Sequence, residues 1–174
     1  MINHNEFATN HHELIIKLGY WDNPKELGTV LMLIVTEISK LFDEMRLNRG
    51  EKLADVALRL YDLLAYYNVD LTDLPDVESW DMYSMISMLT NEMEAGRSGI
   101  KTRYIFLKKC LSMAWKYAEE NDIDLMYELI RKSDIISGNT DKYKQAQEAF
   151  DEFLKIDIDY DLARRKLREL REEN

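Results

Sequence analysis

Apolar residues recur along this chain at intervals of three and four, the period that gathers one stripe on one side of an α-helix. No stretch alternates apolar and polar residues for long enough to be a strand, so the pattern predicts an all-α fold. "HNEFATNHHELIIKLGY" begins as a helix whose apolar side collects Phe7, Leu14, Ile15 and Leu18, and Gly19 is its expected stop. In "WDNP", Asn23 is the expected N-cap of a second helix, because Pro24 fits the first helical position and Glu26 completes a capping-box spacing. That helix is predicted to run to about Leu47 on Val30, Leu31, Ile34, Val35, Ile38, Leu41, Phe42 and Met45. A third, from about Glu51 to Tyr67, repeats the pattern with Leu53, Val56, Ala57, Leu60, Leu63 and Leu64.

Turn-forming residues in "NVDLTDLPD" separate these from a fourth helix over roughly Glu78 to Ala95, which "GRSG" breaks. A fifth carries Tyr104, Ile105, Leu107, Leu111, Met113, Ala114 and Tyr117 toward Asn121. "DIDLMYELIRKSDII" gives a short sixth stopped by Ser137-Gly138, Thr140 caps a seventh, and "DYDLARRKLRELREEN" a charged eighth. "YYNVDLTDL" and, 54 residues later, "EENDIDLMYEL" end two successive helical hairpins alike, either an ancestral duplication or two similar helix ends. The Met-rich "DMYSMISMLTNEM" reads as core filler.

Composition narrows the function classes. A length of 174 residues fits one domain with a real core, here about 1–137, followed by a C-terminal helical extension of about 138–174. With no run of about 18 apolar residues and no basic leader, neither a membrane span nor a signal peptide is expected. The single Cys110 rules out an intramolecular disulfide and fits a reducing, cytoplasmic location. A net charge of −10 argues against nucleic acid as a partner, since a phosphate backbone selects basic surfaces. His4, His11 and His12 do not make a zinc signature and read as polar residues on an exposed first helix.

The chemistry is expected in the second and third helices. Glu37 lies between Ile34 and Leu41 at the edge of the apolar stripe, and Asp55 holds the corresponding place near Val56 and Leu60. A short link makes the two helices antiparallel neighbours, so the two acids can converge. Paired carboxylates on facing helices suit magnesium, which wants hard oxygen ligands and leaves places for water and phosphate. Lys52, Asp55, Arg59 and Asp62 also stand at intervals of three and four, the spacing of an ordinary salt-bridge stripe along one helix edge.

"GYWDNPKELGTVLMLIVTEISKLFDEMR" followed by "EKLADVALRLYDLLAYYNVDL" resembles the MazG-like branch of the all-α nucleoside triphosphate pyrophosphatases, over roughly residues 12–75. The likeness rests on the entry Gly19, Tyr20, Trp21, Asp22, on a helix with Glu at its centre, and on "LADVALRLYD". It implies a helical bundle with a four-helix core, a homodimer, and cleavage of a nucleoside triphosphate to monophosphate and pyrophosphate. It also implies magnesium held by Glu-x-x-Glu on one helix and Glu-x-x-Asp on the next. Here those pairs are Glu37 with Lys40, and Lys52 with Asp55, so half the expected ligands are lysines. Downstream, in "ELIRKSDIISGNTDKY", Lys132 matches a phosphate-handling Lys, but Ile136 stands where Asn is expected and no Arg follows within that stretch.

A divalent ion about 4 Å from an ammonium meets roughly 8 kcal/mol of repulsion at an effective dielectric near 20, before the flexible Lys swings away. Magnesium is therefore expected to bind weakly or not at all, through Glu37 and Asp55, with Glu44 or Asp62 as possible substitutes. Lys40, Lys52 and Lys132 are expected to meet phosphate, and Tyr20 or Trp21 a nucleobase. Three readings stand at this point: a metal-free nucleotide binder, an active pyrophosphohydrolase with rearranged ligands, and a helical interaction module.

Overall fold

The structure, a computed structural model, describes residues 3–23, 25–42, 48–78, 80–97 and 103–138. They form six helices, α1 (His4–Lys17), α2 (Leu27–Leu41), α3 (Arg49–Tyr66), α4 (Met82–Arg97), α5 (Arg103–Glu120) and α6 (Leu125–Ile136), with no strand among the described residues. The fold is all-α. By contacts the chain divides into two compact units, 1–133 and 134–174. The expected seventh and eighth helices lie outside the described residues, as does the end of the second beyond Phe42.

Four helices make the core of the first unit. α2 neighbours α3, α3 neighbours α5, α5 neighbours α4, and α4 closes the ring on α2. α3 is the most enclosed, because α1 covers the side that the ring leaves open. Its Leu53, Ala54, Val56, Ala57, Leu60, Tyr61, Leu63 and Leu64 are all buried, and the two alanines let neighbouring backbones come close. On α5, Leu107, Cys110, Leu111, Ala114 and Tyr117 are buried against α3 and α4. The Cys110 thiol lies 4.0 Å from the Met85 carbonyl of α4, and burial pushes its pKa up to about 12.

Two helix starts and one buried face differ from the sequence expectation. α2 starts at Leu27 rather than just after Asn23. Trp21 is tied to α3, the Lys25 ammonium turns back to the Tyr20 carbonyl and over its ring, and Glu26, the residue before the helix, is extended. α4 starts at Met82 rather than Glu78, because Asp81 caps it by accepting from the Ser84 amide (2.9 Å) and hydroxyl (2.6 Å). On α1 the buried positions are Ala8 and His11, while Leu18 is exposed.

The two similar hairpin ends have a common backbone cause. Asn68 and Asp122, 54 residues apart, both take a positive φ, of 52° and 54°. The following amides, of Val69 and Ile123, reach back to the carbonyls of Leu64 and Ala118. Gly19, at φ 78°, closes α1 in the same way, with the Tyr20 amide on the Ile15 carbonyl. The echo is thus a recurrent way of ending a helix.

Candidate functional site

Glu37 is buried in mid-α2, and two cations hold its carboxylate. Lys40, one turn on, places Nζ 3.2 and 3.1 Å from the two oxygens, and Arg59 of α3 places Nη2 3.3 Å from Oε1. Asp55, one turn before Arg59, has its own pair. Lys52 Nζ lies 3.3 Å from Oδ2, and Lys132 Nζ reaches from α6 to 3.0 Å from Oδ1. Lys132 also meets Glu51 at 2.7 Å, and Arg131 bridges Glu51 (3.4 Å) and Glu128 (2.8 Å). α6 can come this near α3 because position 50 is glycine: a Cβ there would sit 3.3 Å from both Glu128 and Ile123 side chains.

The two acids therefore sit in separate ion-pair groups. Among the described residues around Asp55, three acids (Glu51, Asp55, Glu128) meet three bases (Lys52, Arg131, Lys132) and the charge cancels. Lys132 holds Glu51 below the usual carboxylate range, chiefly by its hydrogen bond. Burial pulls the Lys132 ammonium down, but the bonds to Glu51 and Asp55 outweigh it and the net shift is upward. Among the described residues around Glu37, one acid faces two bases and a positive charge is left over. The Lys40 and Arg59 side chains are also the more exposed, at 38% and 34%, against 20% for Lys52 and 15% for Lys132.

Magnesium does not fit this arrangement. Among the described residues no three His, Cys, Asp or Glu gather closely enough to hold a metal ion. A divalent ion at Glu37 or Asp55 would have to displace the two cations already on each carboxylate. Glu44 lies outside the described residues. Asp62 does not continue the stripe of Lys52, Asp55 and Arg59: it turns toward α1, where His12 Nδ1 lies 2.5 Å from Oδ1 and Trp21 Nε1 donates at 3.1 and 3.2 Å.

No family model, curated protein or solved structure matches the chain.

The aromatic pair is likewise engaged within the chain. Trp21 stacks on Tyr66 at 4.3 Å with the planes 9° apart, and Tyr20 meets its edge at 5.4 Å. The Lys25 ammonium lies 3.9 Å from the Tyr20 ring centroid. One face of Trp21 is thus taken, and a base would have to use the exposed Tyr66 or the far side of the pair.

Sequence reasoning missed the histidines. All three turn inward: His12 to Asp62, His4 Nδ1 to the Tyr61 hydroxyl at 2.5 Å, and His11 into the interface with only 5% of its surface exposed. Tyr61 also accepts from Trp115 Nε1 at 3.0 Å. The signal was available. Positions 4, 8, 11, 12 and 15 lie on one helical stripe, and reading the histidines as part of it would have rotated the buried face to where it lies.

Proposed function

We propose that this chain is a MazG-like nucleotide-binding protein that takes the phosphates of a nucleoside triphosphate on Lys40 and Arg59, without magnesium. One observation carries the reading: the cation excess around Glu37 among the described residues, in a chain whose net charge is −10. Both nitrogens lie within 3.3 Å of Oε1 of Glu37, so one phosphate can bridge them. Arg supplies a planar fork for two phosphate oxygens, and Lys a mobile point charge. Lys52 and Lys132 serve Asp55 and Glu51 instead, which moves the phosphate assignment from them to Arg59.

The test is equilibrium binding of the common nucleoside triphosphates in EDTA and in magnesium, with pyrophosphate release followed in parallel. Binding is expected in EDTA, weakening as salt rises, with turnover slow or absent. Arg59→Ala should weaken it about tenfold, the value of one charge-assisted hydrogen bond of roughly 1.5 kcal/mol. Lys40→Glu with Lys52→Glu rebuilds a four-carboxylate set and should make binding depend on magnesium. Rapid magnesium-dependent pyrophosphate release by the natural chain would establish an enzyme instead. Failure of every nucleotide to bind would leave an interaction module.

A further inference from the structure

α1 packs on α3 more than on any other helix, and the stripe it presents there carries His4, Ala8, His11 and His12. His11 is the deepest of the titratable three. Its Nδ1 has no hydrogen-bond partner among the described residues, and the Phe7 ring stacks on it at 6.3 Å. From α3 the charged group that faces it is Asp62, already shared by His12 and Trp21, and His12 stands beside it on α1 itself. His4 meets the Tyr61 hydroxyl of α3 and the edge of Trp115 from α5, whose ring centroid is 5.5 Å away. Asp76, Lys116 and Glu119 line the open groove of about 460 Å³ beside it. Asp70 accepts from Asn5 of α1, and its hydrogen bonds from Thr72 and Asn5 hold it ionised, with a pKa lowered to about 2. A proton on His11 would therefore put a charge into an interface where, among the described residues, the facing carboxylate of Asp62 is already taken by His12 and Trp21.

We infer that α1 is an acid-released clasp, docked on α3 while His4 and His11 are neutral and let go when they take up protons. His12 sits on the Asp62 carboxylate, so release rests on the other two. Burial lowers His11 from 6.5 to about 4 and lowers His4 in the same direction. A group whose pKa falls on docking favours the docked state fully above its free value, and loses that contribution as pH drops through the window between the two. For His11 the window runs from 6.5 down to about 4. These two values make docking about thirty-fold less favourable at pH 5 than at pH 7.5.

The experiment is hydrogen exchange of the full chain, read as protection factors so that the intrinsic pH dependence divides out. Residues 4–17 should lose about thirty-fold or more of their protection between pH 7.5 and 5, while α5 keeps its own. His11→Leu should remove most of that loss, and His4→Phe a smaller part. Should either variant fold poorly, the His11 ring proton followed by NMR in the natural chain decides, with a midpoint near 4 expected. A loss under threefold in α1, equal losses in α1 and α5, or a His11 midpoint at or above 6.5 would each overturn the clasp.

Discussion

Glu37→Gln should tighten nucleoside triphosphate binding in EDTA by about tenfold. The carboxylate now cancels one of the two charges beside it, at 3.1 to 3.3 Å from Lys40 and Arg59. A unit charge at about 4 Å is worth roughly 4 kcal/mol at an effective dielectric near 20, and water around the half-exposed cations cuts this to about a third. The amide keeps the shape of the side chain, so the bundle should fold as before, which a thermal melt checks. The sign separates the readings. In a magnesium enzyme the same change removes a metal ligand and activity falls, whereas in the proposed binder affinity rises. A tenfold weaker complex in EDTA would remove Lys40 and Arg59 from the phosphate site.

Asp62→Ala should cost about 3 kcal/mol of stability, the largest loss expected from any one polar side chain here. The buried carboxylate takes His12 Nδ1 at 2.5 Å and both contacts from Trp21 Nε1, and truncation leaves those donors without an acceptor. It also frees the two segments that Asp62 ties to α3, namely α1 and the stretch entering α2. Asp62→Asn keeps one acceptor and should lose about half as much. For a chain of this length the alanine variant would melt roughly 6 to 12 °C lower. Urea unfolding with a shifted midpoint and unchanged slope is the direct measure, and a loss under 1 kcal/mol would show that water replaces the carboxylate at little cost.

Helix identity was legible wherever periodicity and a turn residue agreed, as at the ends of α1, α3 and α5. It slipped where a distant side chain decided a boundary. The proline rule places a helix start after Asn23, but Trp21 reaches Asp62, 41 residues on, and the helix begins only at Leu27. In the site, Glu37 and Asp55 were visible as acids at the edge of an apolar stripe, and Lys40 and Lys52 as their i+3 and i−3 neighbours. Which cation crosses between helices was not. Arg59 looked like one rung of a ladder along α3 and instead pairs with Glu37 on α2, while Lys132 arrives at Asp55 from 77 residues away. Helical spacing fixes which residues share an edge of one helix, and the partner opposite that edge comes only from packing.

The lone thiol offers a clock for opening. Cys110 is buried in the α4–α5 hairpin, and a pKa of about 12 leaves roughly one thiolate per ten thousand molecules at pH 8. An alkylating reagent therefore marks a molecule only after that hairpin parts, and the rate of mass gain counts those partings. Departure of α1 alone leaves the thiol covered by α4, so a variant that loosens the clasp but spares the ring should be alkylated no faster than the natural chain.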